Sequence, residues 1–152
     1  MTTQLRPVVL SDAEPLHREC WPEQSLGRVQ ARIERVLQQG QYVRMAALVA
    51  VPDIDSAPFA YGQLTRWPRL CEISDLVVTE SYRSAGVGTA LIAALVEQAR
   101  AWGAPLVEIG AVDTNIRALA LYQRLGFTPY RTITLDLAEV AETVIYLCRL
   151  LT

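Results

Sequence analysis

Val77-Val78-Thr79-Glu80-Ser81-Tyr82-Arg83-Ser84-Ala85-Gly86-Val87-Gly88-Thr89-Ala90-Leu91 runs from a β-branched strand through a short polar turn into an apolar-periodic helix, with Arg83-x-x-Gly86-x-Gly88 at the junction. Two glycines at a strand-to-helix turn let backbone N–H groups point inward with no Cβ in the way. The helix adds its orphan first-turn donors and the positive end of its dipole. Such a turn suits a phosphate or pyrophosphate, and Arg83 brings a full positive charge beside it. A Walker loop is excluded, because Gly88 leads into Thr89-Ala90 and the chain contains no lysine. A dinucleotide fingerprint is excluded too, because its third glycine would stand where the chain has Leu91.

On its own the turn also fits a purely structural glycine-rich corner; a second stretch narrows the choice. Asn115-Ile116-Arg117-Ala118-Leu119-Ala120-Leu121-Tyr122-Gln123-Arg124-Leu125-Gly126-Phe127 reads as a short helix, N-capped by Thr114 or Asn115 and ended by Gly126 in a left-handed conformation. Amphipathicity alone explains Leu121 and Leu125, but not Asn115, Tyr122 and Gly126-Phe127 at these offsets. Together the two stretches, in this order with one strand between them, resemble the two hallmarks of the GNAT acetyltransferases: the acetyl-CoA loop, and the helix beside the pantetheine arm.

Composition is consistent with one compact domain. A chain of 152 residues, half of them apolar, buries one core, so residues 1–152 are expected to form a single domain. The net charge of −2 and the lack of a basic run argue against a nucleic-acid partner. Membrane association is not expected either: no apolar stretch approaches the roughly twenty residues of a span, and no signal-peptide pattern is present. Cys20, Cys71 and Cys148 are odd in number and unpaired by spacing, and read as reduced thiols of a cytoplasmic protein, with no metal site.

Periodicity and turn signals give one pass of elements without repeats. Strands are predicted at 3–9, 42–51, 59–67, 72–78, 106–112, 127–137 and 143–150. Helices are predicted from Ser11 toward Glu19, opened by a Ser11-x-x-Glu14 capping box, at 25–39, at 87–102 and over the Tyr122 segment. In the second helix Leu26, Val29, Ile33, Val36 and Leu37 form one stripe. The order βααβββαβαββ is similar to the GNAT fold, an α/β (α+β) domain whose central mixed, mostly antiparallel seven-stranded sheet is flanked by about four helices.

The resemblance implies an activity, acetyl transfer from acetyl-CoA to a primary amine of a small molecule by direct attack in a ternary complex. It also implies site residues. Main-chain groups of Leu76, Val77 and Val78 would bond the pantetheine amides, and the amides of Arg83, Ser84, Ala85, Gly86, Val87, Gly88 and Thr89 would hold the pyrophosphate. Asn115 would contact the arm, and a Cβ at Gly86 would crowd the pyrophosphate. A backbone N–H near Val77 or Val78 would polarise the thioester carbonyl. Tyr122 matches the family's general acid, placed to protonate the departing thiolate. Glu72 stands where some members carry a catalytic base, with Asp75 as rival on a strand that is bulged in the family. A homodimer is a further expectation from the family.

The acceptor is the least defined part. Relatives that acetylate protein N-termini place a glutamate where this chain has Gly110, with Glu108 two residues earlier. The acceptor-side regions of the fold here hold Glu19, Trp21 and Glu23, then Asp136, Glu139 and Glu142, an acidic set with an aromatic that suits a cationic amine. The single histidine, His17, reads as a surface residue of the first helix. Two other readings stay open: a protein or peptide N-terminal acetyltransferase, and a non-catalytic acyl-CoA-binding sensor.

Overall fold

The computed structural model describes residues 3–137 and 140–151. One seven-stranded sheet runs in the order β1-β2-β3-β4-β5-β7-β6. Its strands are β1 (Gln4–Pro7), β2 (Met45–Val51), β3 (Ala60–Arg66), β4 (Cys71–Val78), β5 (Leu106–Val112), β6 (Thr128–Leu137) and β7 (Val140–Leu150). The helices are α1 (Ala13–Glu19), α2 (Leu26–Gly40), α3 (Val87–Ala101) and α4 (Ile116–Arg124). β4 and β5 are parallel and every other neighbouring pair is antiparallel, so the sheet is mixed and mostly antiparallel, as expected from the GNAT resemblance. No helix among the described residues is long and apolar enough to cross a membrane.

The helices split between the two faces of the sheet. Between the sheet and α3 and α4, Ile92 and Leu95 of α3 pack with Leu64, Ile73, Ile109 and Leu147 of the strands, all essentially inaccessible to solvent. Each such side chain contributes about 2 kcal/mol on leaving water. On the other face Leu16 of α1 and Val29 and Ile33 of α2 pack with Val49 and Tyr61 of the strands. This second core covers the β1–β3 side of the sheet, while Glu72 and Glu108 stand in register across β4 and β5 beyond it.

Several local features differ from the sequence reading. The helical N-terminus at α1 is not locked by Ser11 and Glu14: the buried Asp12 carboxylate accepts the Val9 N–H at 2.9 Å and takes both ends of the Arg6 guanidinium at 2.8 Å. α2 is capped by Ser25, whose hydroxyl accepts the Arg28 N–H at 3.1 Å. Its buried stripe is Val29, Ile33 and Val36, with Leu26 and Leu37 at the exposed margins. β2 starts at Met45, because Tyr42 and Arg44 both donate their N–H to Gln39 carbonyl in a turn where Val43 takes φ +55°. β7 starts earlier than expected, its register with β6 reaching Leu137↔Val140. Glu139 lies outside the described residues.

Two irregularities place the site. β4 is bulged: Tyr61 pairs with Val77 but Gln63 with Ser74, so one extra residue of β4 is accommodated, and Asp75 there has φ +52°. Gly62 faces the bulge at close range, since a Cβ on it would lie 3.0 Å from Leu76 Cδ1 and 3.1 Å from Leu95 Cδ1. The second irregularity is a parting of strands. β4 and β5 pair only at Cys71↔Val107, Glu72↔Glu108 and Ile73↔Ile109. From Ser74 to Val78 the edge of β4 that faces β5 has no strand partner. A row of main-chain donors and acceptors therefore opens onto a gap between two parallel strands.

Candidate active site

At the mouth of that gap lies a cavity of about 580 Å³, between the N-terminus of α3 and one face of α4. Its lining includes Val78, Arg83, Ser84, Gly86, Gly88, Arg117 and Arg124. The turn before α3 holds two left-handed residues, Ser84 at φ +69° and Gly86 at φ +81°. Alternating left- and right-handed residues aim successive N–H groups at one point, which makes an anion nest continuous with the helix N-terminus. Arg83 donates Nε to the Val78 carbonyl at 3.0 Å, tying the turn to the end of β4. Arg117 donates to Ser84 Oγ at 2.8 Å, tying the same turn to α4.

Arg117 and Arg124 were not singled out by the sequence reading, although their separation by two helical turns was the available signal. With Arg83 they bring three positive charges to a cavity whose apolar lining includes Val87, Ala118 and Leu121. An elongated polyanion with apolar segments fits this lining. At Gly86 no protein atom lies within 4 Å of a Cβ built there, so within the protein itself it is the positive φ that favours glycine.

α4 explains why Tyr122, Gly126 and Phe127 occur together. Asn115 caps the helix by accepting the Ala118 N–H at 3.2 Å, which leaves its amide NH₂ free at the exposed end. At the other end Gly126, at φ +92°, donates to Gln123 carbonyl, and Phe127 donates to Tyr122 carbonyl at 3.0 Å. These are the two bonds of a Schellman cap, whose accompanying apolar contact is here Tyr122 edge-on to Phe127 at 6.4 Å between centroids. The cap thus fixes the tyrosine ring in the sheet–helix core. Phe127→Ala is expected to cost about 3–5 kcal/mol, read by denaturant unfolding, because it removes a fully buried ring and the cap contact together.

The Tyr122 hydroxyl has no hydrogen-bond partner among the described residues. The residue is only 7% exposed, and burial pushes its phenol pKa up from the usual value. Every fully enclosed side-chain polar atom among the described residues has a partner, and Tyr122 Oη makes no hydrogen bond, so the hydroxyl reaches solvent. A neutral phenol that is free to donate is what a departing thiolate needs.

On the other face of the sheet the carboxylates are sorted by their partners. Glu72 is half-buried at the β3–β4 hairpin and accepts the Trp67 indole N–H at 3.0 Å. Asp75, on the bulge, pairs with Arg32 at 3.3 Å. Arg32 in turn lies 4.2 Å above the Trp21 ring, and Trp21 packs edge-on to Tyr61. Trp21 is therefore buried in the α1/α2 core and not an open acceptor wall. Glu23 is exposed, Glu19 pairs with Arg18, and His17 ties α1 to the following turn through Gln24 carbonyl at 2.7 Å. Glu108 is buried beside Tyr130, Arg131 and Tyr146, a cluster that the sequence reading did not assemble because it spans three strands.

A glycine-rich anion nest and a parting of parallel strands meet at one cavity, and the adjoining helix carries a phenol. The chain belongs to the acetyltransferase (GNAT) family, whose model matches residues 7–127. An uncharacterised N-acetyltransferase of Bacillus subtilis (strain 168) is 36% identical over 73 residues, 48% of this chain and 47% of that protein. Glucosamine 6-phosphate N-acetyltransferase of Trypanosoma brucei brucei is 35% identical over 99 residues, 64% of this chain and 59% of that protein. The matched stretch takes up about half the length of these relatives. The phosphinothricin acetyltransferase of Sinorhizobium meliloti, solved with acetyl-CoA, has the same fold, with a TM-score of 0.81 at 20% identity over 99% of this chain and 89% of that one.

Proposed function

We propose that the protein is an acetyl-CoA-dependent N-acetyltransferase that acetylates the primary amine of a small molecule by direct attack. The observation that carries this reading is the parting of β4 from β5 after Ile73 and Ile109, beside a cavity with three arginines and a helix N-terminus. The diphosphate of acetyl-CoA matches the nest of residues 83–89. Its pantetheine amides match main-chain groups of Leu76, Val77 and Val78 along the β4 edge that β5 leaves uncovered, with the Asn115 amide alongside.

The chemistry then follows from what each group can do. A backbone N–H near Val77 or Val78 stabilises negative charge on the thioester oxygen as the amine adds. The C–N bond forms, the C–S bond breaks, and the leaving sulfur takes the Tyr122 proton. The nitrogen gives up a proton to water or a carboxylate, and the phenol is reprotonated from solvent. A small-molecule acceptor is favoured over a peptide N-terminus because the position of the peptide-acetylating glutamate is Gly110, already overlain by Tyr146: a Cβ there would meet the ring at 2.9 Å. The trypanosomal relative, by its name, also acts on a small amino sugar phosphate.

Thiol release from acetyl-CoA, measured against a panel of amines with a calorimetric titration alongside, tests the proposal. Turnover of a small amine supports it; absence of acetyl-CoA binding removes it. Arg117→Ala is expected to weaken acetyl-CoA roughly ten- to hundredfold, since a charge-assisted contact to a phosphate is worth about 1.5–3 kcal/mol. The loss should shrink when the titration is repeated in high salt. An unchanged Kd at low salt would take Arg117 out of the donor site.

A further inference from the structure

The Glu108–Arg131 pair on the acceptor face has an unusual distribution of used and unused atoms. Glu108 Oε1 accepts from Arg131 Nε at 2.9 Å, from Arg131 Nη2 at 2.7 Å and from the Tyr130 hydroxyl. Its other oxygen, Oε2, has no partner among the described residues, although the side chain is only 4% exposed. No fully enclosed polar atom among the described residues lacks a partner, so Oε2 faces solvent through a narrow opening. Arg131 shows the reverse: its side chain is 43% exposed and Nη1 makes no hydrogen bond among the described residues.

The surroundings fix this pair in place. The guanidinium lies 4.2 Å over the Tyr146 ring and 5.8 Å from the Tyr130 ring. Tyr146 in turn lies against Gly110, where any Cβ would collide with it. Glu108 stands one residue before the last β4–β5 pair, so the cluster borders the gap on the face opposite Tyr122. Glu72 neighbours Glu108 in that register and adds a second negative charge beside it.

We infer that Glu108 and Arg131 select an acceptor that is zwitterionic: a primary amine carrying a carboxylate or a phosphate. The inference rests on the proposed acetyltransferase reading. The bare carboxylate oxygen takes the acceptor's ammonium as it docks. The bare guanidinium nitrogen, held at the rim by stacking on Tyr146, takes the anionic group. A diamine, polyamine or aminoglycoside turns a second positive charge toward Arg131 and is repelled. Glu108 and Arg131 are specificity residues in this scheme, and Tyr130 and Tyr146 position them.

The test is kcat/KM for amino acids and amino-sugar phosphates against diamines, polyamines and aminoglycosides, with acetyl-CoA binding measured by calorimetry. The anionic amines are expected to lead by roughly tenfold or more. Arg131→Gln should erase that lead through KM while leaving acetyl-CoA affinity unchanged, and Glu108→Gln should raise KM for every amine. Because Arg131→Gln removes the main partner of a buried carboxylate and risks unfolding, Arg131→Lys is the second variant: it keeps the charge, loses the planar fork, and should retain part of the preference. A polyamine or aminoglycoside as best acceptor overturns the inference without any variant. So does acetyl-CoA binding with no turnover of any anionic amine, which leaves the donor site standing. Failure to bind acetyl-CoA takes down the proposed function itself.

Discussion

Tyr122→Phe is expected to lower kcat by about 10²–10³-fold, the usual worth of a general acid, with acetyl-CoA affinity and melting temperature nearly unchanged. The separation of effects follows from the geometry. The phenol oxygen has no hydrogen bond among the described residues, so removing it leaves none of their donors or acceptors stranded. The ring keeps its edge-on contact with Phe127 and hence the cap of α4. Only the proton donor is lost. The pH profile supplies a second check. Burial raises the Tyr122 pKa, so the phenol stays protonated in solutions where a free tyrosine, at about 10, has begun to ionise. The wild-type rate should therefore not decline through tyrosine ionisation until the pH passes that value. Unchanged kcat in the phenylalanine variant would remove Tyr122 as the acid.

The turn before α3 and the helix α4 were legible in the sequence because they are contiguous stretches whose residues answer local demands. Gly86 and Gly126 sit where the backbone takes positive φ, Asn115 where a helix needs an acceptor, and Gly103 where α3 ends at φ +78°. The order of strands and helices was legible for the same reason. The misread places are those where tertiary contacts override local signals. Asp12 replaces a regular capping box because Arg6, on the neighbouring strand, is within reach. Tyr42 and Val43 have strand propensity, yet they turn, because Arg44 must bond back to Gln39 before β2 can pair. Trp21 looked like a wall for a cationic acceptor, and its cation is instead Arg32 of the protein itself.

The Glu108–Arg131–Tyr146 cluster was hidden for a different reason. Glu108, Arg131 and Tyr146 come from β5, β6 and β7, and no sequence spacing joins them. The β6 bulge between Pro129 and Arg131 places Arg131 opposite Tyr146, and alternation along the strand does not reveal that shift. Asp75 is similar: its place on the bulge was foreseeable from the family, while its pairing with Arg32 depended on how α2 crosses the sheet.

Gly86→Val should weaken acetyl-CoA binding by roughly 100-fold, and the reason can be isolated by comparison with Gly27. Neither glycine has a protein atom within 4 Å of where a Cβ would stand, so steric contact distinguishes nothing. Their backbones differ. Gly27 lies in α2, whereas Gly86 is the N-cap of α3 at φ +81°. A left-handed conformation costs an L-residue about 1–2 kcal/mol, and a β-branched one more. That cost is relieved by rotating the turn to negative φ, which swings the N–H groups of residues 84–88 away from a common point. Gly27→Ala should instead stabilise α2 by about 0.5–1 kcal/mol and leave binding alone. Gly86→Ala should fall between, retaining some binding because alanine tolerates the left-handed region better than valine does. Calorimetry with acetyl-CoA on the three variants, with thermal melts as control, reads the conformation of the turn directly. Equal affinities for wild type and Gly86→Val would mean that the nest does not hold the diphosphate, and the charge on Arg83, Arg117 and Arg124 would then have to hold it alone.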